Sequence, residues 1–274
     1  MIKTLHSLSI MHSNMLTDIR IARDTNHEAL EIAASKLLRY LDQGYPADGL
    51  NPIFEAHDIR PIVINALAGV DRVDIHGHGE LLAETNRLCS IAEIIGCPTI
   101  QIVPQCHLEG RPIQEVLSLT AKNIAEIADV GAIHGVKFQL EPLAWAPIHS
   151  LSQSLQVIEQ AGKDNVGMVV DFWHLHAGGE TTPEDVAKLD RSLIYGAHFC
   201  DGITHPEVSA ALEMKLRGFL PGDGEIPIQT WVDALRSTGF DGVWSCENYS
   251  PHHWEWDPWE LARECKRRLE IYLP

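Results

Sequence analysis

The segment Val166-Gly167-Met168-Val169-Val170-Asp171-Phe172-Trp173-His174 decides the fold. Its first five residues carry no charge and are rich in β-branched valine, which reads as a strand buried on both faces. Parallel strands covered by helices on either side need not alternate apolar with polar residues. Working outward, runs of the same kind lie at Pro98 to Val103, Val136 to Leu140, Leu193 to Phe199 and Val243 to Cys246, and earlier at Pro61 to Leu67 and Thr4 to Ile10.

Between these runs the apolar spacing changes to that of a helix. Leu81, Thr85, Leu88, Ala92 and Ile95 share one stripe, as do Ile113, Leu117, Ile124 and Ala128, and later Leu261, Cys265, Leu269 and Tyr272. Thr182-Pro183 and Asp257-Pro258 each offer an N-cap followed by a proline at the first helical position, and Gly162 and Gly239 stand where helices should stop. Gly77-His78-Gly79 reads as a turn before a helix and Gly178-Gly179 as a loop hinge. Residues 44–58 are broken by Gly44, Pro46, Gly49 and Pro52, and a short second strand is expected near Ala47 to Leu50. About eight strands alternating with as many helices, and no linker between them, predict an α/β fold: a single (β/α)8 TIM barrel over residues 1–274. An open doubly wound sheet is the competitor, but no G-x-G-x-x-G follows an early strand.

The chain has 274 residues, 45% hydrophobic and 22% charged, enough for one large core and far from the composition of disorder. Its formal net charge of −17 opposes nucleic acid and anionic membrane surfaces as partners. Six cysteines without a C-x-x-C pair read as buried or incidental thiols in a reducing compartment. With no signal-peptide pattern and no apolar run of membrane-spanning length, a cytoplasmic protein is expected.

In a parallel barrel the strand C-termini converge on one rim, so polar residues that end apolar strands meet however distant they are in sequence. Val136 to Leu140 leads to Glu141, Val166 to Val170 to Asp171, Leu193 to Ala197 to His198, and Gly242 to Cys246 to Glu247. A lone carboxylate there reads more simply as a loop or helix cap, and a lone histidine as a hydrogen-bonded core residue. Four on consecutive strands read differently. Three carboxylates on one rim repel unless a cation neutralises them, and a histidine completes the ligand set of one divalent ion: Mn, Mg, Co or Zn.

Glu141 after its strand, Asp171-Phe172-Trp173-His174, His198 followed by Asp201, and Ser245-Cys246-Glu247 resemble the motifs of the xylose isomerase-like TIM-barrel superfamily of sugar isomerases and epimerases. The turn Pro221-Gly222-Asp223-Gly224-Glu225-Ile226-Pro227 strengthens the likeness, which is clearest over residues 136–272. Glu247-Asn248-Tyr249-Ser250-Pro251, then Trp256-Asp257-Pro258, looks most like the inosose isomerase and ketose 3-epimerase branch. By that resemblance Glu141, Asp171, His198 and Glu247 hold the metal, His174 and Arg217 contact substrate oxygens, and the chain forms a homo-oligomer, a dimer or tetramer, with a role in sugar or inositol catabolism.

The chemistry follows from the ligands. A cation bridging a ketone oxygen and the neighbouring hydroxyl acidifies the intervening C–H and stabilises the enediolate left when its proton departs. Glu141 and Glu247 are the candidates for removing and returning that proton, with His174 stabilising the developing oxyanion. His107 and Trp145 closely follow strand ends and are expected in the pocket wall against a sugar or cyclitol. His6, His12, His76, His78, His149, His252 and His253 read mostly as surface or loop residues, and Trp254, Trp256 and Trp259 as cover for the last helix or an oligomer contact. The same enediolate can lose a hydroxyl, so a dehydratase of inosose or 3-dehydroshikimate type is the alternative. An endonuclease IV-like repair enzyme and a non-catalytic sugar-binding barrel are the more distant ones.

Overall fold

The computed structural model describes residues 1–273. Eight parallel strands, β1 (Ile2–His6), β2 (Ala29–Ala33), β3 (Arg60–Ala68), β4 (Thr99–Val103), β5 (Lys137–Leu140), β6 (Val166–Asp171), β7 (Ile194–Phe199) and β8 (Val243–Cys246), pair in chain order and close, β8 against β1. The helical segments are α1 (Met15–Asp24), α2 (Ala34–Asp42), α3 (Asn51–His57), α4 (Ile75–Ile95), α5 (Ile113–Ile133), α6 (Leu151–Ala161), α7 (Phe172–Ala177), α8 (Pro183–Val186), α9 (Glu213–Leu216), α10 (Ile228–Ser237), α11 (Pro251–Trp254) and α12 (Pro258–Tyr272). This is a (β/α)8 TIM barrel. Among the described residues no helix is long and apolar enough to cross a membrane.

The apolar core lies between barrel and helices. Phe172, at the start of α7, contacts the rings of Phe199 from β7, Trp244 from β8 and Trp231 from α10, with centroids 5.5, 6.4 and 5.9 Å away. All four rings are fully buried, and each stabilises the fold by roughly 1.5–3 kcal/mol on removal from water. A side chain at Gly131 would overlap the Phe138 ring, so glycine is what lets α5 approach β5. The five cysteines other than Cys106 are buried, and all six are free thiols.

Inside the barrel the layer beneath the rim is polar. Register places His6 beside Glu31, Gln101 beside Gln139, Asp171 beside His198, and His198 beside Ser245. Gly196 of β7 leaves room there, since a Cβ on it would lie 3.0 Å from Gln139 Oε1.

Three local expectations fail. The second strand is Ala29–Ala33, and Ala47–Leu50 is a 3-10 turn. Glu31 interrupts the apolar run of β2, and Ala34 opens α2 with no turn residue between, so the whole stretch looks like one helix until the barrel supplies partners for the glutamate. β1 ends at His6, whose Nδ1 accepts the N–H of Leu8 at 3.2 Å and starts a 3-10 turn at Ser7–Ile10. Gly77-His78-Gly79 lies inside α4, where the Asp74 cap takes the Gly77 N–H at 2.9 Å. The caps at Thr182 and Asp257, and the positive φ of Gly162 and Gly239 past their helices, follow the sequence pattern.

Candidate active site

Backbone pairing carries the strand ends one residue further. The N–H of Glu141 donates to the carbonyl of Ile102 at 3.0 Å, and that of Glu247 to Phe199 at 3.2 Å. Both glutamates are thus fixed at the rim by the ladder itself. Asp171 divides its two oxygens: Oδ1 caps α7 by accepting the His174 N–H at 2.6 Å, while Oδ2 faces the barrel axis groups His198 and Arg217. The simple reading of Asp171 as a helix cap and its reading as a ligand are compatible because a carboxylate has two acceptors.

Oxygens of Glu141, Asp171 and Glu247 and a nitrogen of His198 all lie within 4.8 Å of one another, and all four side chains are buried. His198 Nδ1 is 2.8 Å from Glu141, 3.1 Å from Glu247 and 3.6 Å from Asp171. Three carboxylates and one imidazole, converging from four successive strands, are a donor set that a hard-to-borderline divalent cation would suit.

The polar layer below orients these groups. Gln139 Nε2–H donates to Gln101 Oε1 at 2.9 Å, and Gln101 Nε2–H donates to Glu141 Oε2 at 2.8 Å. On the other side Glu31 lies 3.0 Å from His198 Nε2, accepts the Ser245 hydroxyl at 2.6 Å and takes an Asn65 N–H at 3.2 Å. His6 Nε2 is 3.5 Å from Glu31 and 3.6 Å from Glu247.

Arg217 is 2% exposed and reaches the cluster from the segment after α9. Its Nη2 donates to Asp171 at 3.0 Å and to Glu247 at 2.7 Å, and its Nη1 donates to Glu213 at 2.9 Å. Nη1 also lies 2.9 Å from His174 Nε2, while the N–H of Ala144 lies 3.1 Å from Nδ1 of the same ring. His174 is therefore beside the cluster and held from both edges.

These neighbours separate the carboxyls. Burial pushes Glu141 up to about 8, against its hydrogen bond from His198 and with help from the nearby Glu247. Burial acts on Asp171 too, but the Arg217 guanidinium holds it down to about 2. Glu247 is likewise buried, yet Arg217, His6 and His198 keep it well below the ordinary carboxylate value. Glu31 is kept low by His198 and His6 despite burial. His198 goes the other way: burial disfavours its charge, but Glu31 and Glu247 raise it well above its ordinary value. Burial lowers His174, Arg217 adds to the effect and Asp171 opposes it.

Trp145 joins this network at one remove, its Nε1–H donating to Glu213 at 2.9 Å. His107 stands apart. Its ring is exposed on the loop after β4, its backbone N–H donates to Asp71 at 2.8 Å, and among the described residues nothing bonds the ring to the cluster. His107 and Trp145 do share a cleft of ≈ 620 Å³, lined also by Gln105, Glu109 and Val208.

Glu31 and His6 join the site although neither stands out in the sequence. His6 is fully buried in the barrel mouth, not on the surface, and because it ends β1 the strand-end rule that points to His198 covers it too. Of the other histidines set aside as surface or loop residues, His12 and His76 are exposed, whereas His253 is buried against Ser250. Asp201, two residues beyond the end of β7, accepts backbone N–H groups of Gly222, Gly224 and Ile226 at 2.8, 3.0 and 3.1 Å and so shapes the glycine-rich turn.

The family described as xylose isomerase-like TIM barrel matches residues 19–269. The inosose isomerase of Bacillus velezensis is 26% identical over 268 residues, covering 97% of this chain and 94% of that protein. The inosose isomerase of Halalkalibacterium halodurans is 25% identical over 261 residues, 94% and 91% of the two chains. A solved structure described as IOLI protein with a bound zinc atom superposes with a TM-score of 0.92 at 24% identity, over 99% of this chain and 98% of that one.

Proposed function

The chain belongs to the xylose isomerase-like TIM-barrel family, and from that premise we propose that it is a divalent-metal-dependent isomerase or epimerase of a keto-polyol or ketose, with an inosose as the first substrate to test. The observation that carries this reading is the convergence of Glu141, Asp171, His198 and Glu247 within 4.8 Å. That the relatives above are inosose isomerases supports the choice of substrate.

Glu141, Asp171, His198 and Glu247 would hold the cation. Bound there, it supplies Lewis-acid polarisation of a carbonyl and an adjacent hydroxyl, which acidifies the C–H between them. The protein does the rest. Glu141 and Glu247 stand at the two ends of the four-strand arc, so one carboxylate takes the proton from carbon and passes it to solvent, while the other returns a proton drawn from solvent. Return to the opposite face epimerises the carbon, and return to the neighbouring carbon moves the carbonyl. Arg217, whose Nε–H has no partner among the described residues, would donate to a substrate oxygen that gains negative charge, with His174 packed against its Nη1 beside the same oxygen. Trp145 and His107 line the cleft by which a polyol approaches. The whole is one catalytic domain over residues 1–274.

Incubation of the metal-loaded protein with 2-keto-myo-inositol in D2O tests the reading. Deuterium should enter beside the carbonyl without loss of water. A diketone with new ultraviolet absorption would instead identify a dehydratase, and no exchange with either inosose or ketohexoses would reject proton-transfer chemistry at this site.

A further inference from the structure

We propose that Glu31 is the positioning residue that decides which nitrogen of His198 faces the metal. The inference rests on the metal-dependent reading above and goes beyond it to a residue that lies outside the ligand set. An imidazole ligates a cation only through a nitrogen lone pair, and its other nitrogen then carries the proton. His198 turns Nδ1 toward Glu141 and Glu247, at 2.8 and 3.1 Å, and turns Nε2 toward Glu31 Oε1 at 3.0 Å. Glu31 accepts the Nε2–H, which leaves the Nδ1 lone pair for the metal and fixes the plane of the ring.

The other partners of Glu31 hold it in this orientation. Its Oε2 is taken by the Ser245 hydroxyl at 2.6 Å, its Oε1 also receives the Asn65 N–H at 3.2 Å, and the residue is 1% exposed. The same three residues, His6, Glu31 and His198, lie close enough to suggest a second cation. That arrangement would require His198 to lose both ring protons, whereas a proton shared between Nε2 and Glu31 needs nothing further. A carboxylate behind a ligating histidine raises the basicity of the ligand and restrains the ring, and its loss typically lowers metal affinity about 10–100-fold.

The test uses the full-length protein with 15N-labelled histidine and bound 113Cd. The cadmium should split the Nδ1 resonance of His198, with a protonated Nε2 beside it. Splitting at Nε2, or at both nitrogens, would overturn the assignment without any variant being made. Zinc affinity, read by chelator competition, should then fall about 10–100-fold in Glu31→Gln and by less in Ser245→Ala, which removes another bond of Glu31 but leaves the one to His198. Equal losses in the two variants, or a Glu31→Gln change within about two-fold of the starting protein, would mean that Glu31 serves only the packing of the layer. If the unaltered protein bound neither cadmium nor zinc, the metal-dependent reading itself would fail. Tight binding indifferent to Glu31 would overturn this inference alone.

Discussion

Ser9 holds Glu247 in place without touching it: its hydroxyl donates to the carbonyl of Cys246 at 2.8 Å and accepts the N–H of Asn248 at 2.8 Å, the two residues that flank the glutamate. The loop after β1 thus clasps the end of β8 across the closure of the barrel. Ser9→Ala removes both bonds and strands a buried N–H, a loss of roughly 1–3 kcal/mol. We expect a lower denaturation midpoint together with a fall in kcat, because Glu247 loses the restraint on both its neighbours. Unchanged kcat at full metal loading would show that the ladder bond to Phe199 suffices.

That loop is itself anchored by a buried ion pair. Lys36 Nζ donates to the carbonyls of Ser7 and Ile10 at 2.9 and 2.8 Å and to Asp18 at 2.9 Å, with both charged groups almost wholly buried. Lys36→Met leaves the Asp18 carboxylate without its counter-charge and should cost about 3–5 kcal/mol in urea denaturation. The double variant Lys36→Met with Asp18→Leu should recover much of that loss. A single variant as stable as the starting protein would remove the pair from any account of the fold.

Glu141→Gln and Glu247→Gln preserve shape and remove the ionisable carboxyl. Each variant should keep the circular dichroism of the parent and lose roughly 100- to 10,000-fold in turnover of the inosose. Full turnover in both would contradict proton transfer by these residues.

Metal uptake should release protons. Glu141, pushed up to about 8, and His198, raised well above its ordinary value, both carry protons at pH 7 in the metal-free protein, and both must give one up to become ligands. Affinity for zinc should therefore strengthen as pH rises from 6 toward about 8, and the calorimetric heat should vary with the ionisation enthalpy of the buffer. For stability the sign is set by raised folded-state values. The contributions of Glu141 and His198 are complete below their unfolded values, ordinarily 4.5 and 6.5, and are lost as pH rises through the folded ones. Histidines held neutral by burial, such as His27 at about 3, oppose this trend only below neutrality. From pH 7 to 8.5 the melting temperature of the metal-free protein should fall. A buffer-independent heat would contradict proton release by both Glu141 and His198.

Much of the barrel is legible because most of its strands are short, mainly apolar runs and its helices carry stripes and caps. Glu141, Asp171, His198 and Glu247 stand out for a related reason: each follows on such a run, and a closed parallel sheet brings such positions to one rim. Glu31 is invisible to that rule because it sits inside its strand and makes β2 look like the start of α2. Arg217 could be suspected only through the family likeness, since nothing local distinguishes a loop arginine that ends 2% exposed between two carboxylates from one in water.

The sequence by itself determined the alternation of strands and helices over most of the chain and the polar residues that end the strands, since these depend on periodicity and chain order. Closure of the sheet, β8 on β1, belongs to the tertiary structure. Only the tertiary structure decided which buried polar groups are satisfied, and by what. Ser245 reaches Glu31 across 214 positions, His198 reaches it across 167, and Asn248 reaches Ser9 across 239. A hydrogen bond depends on distance and angle at the moment of contact, and no pattern along the chain encodes the geometry that barrel closure imposes on residues so far apart.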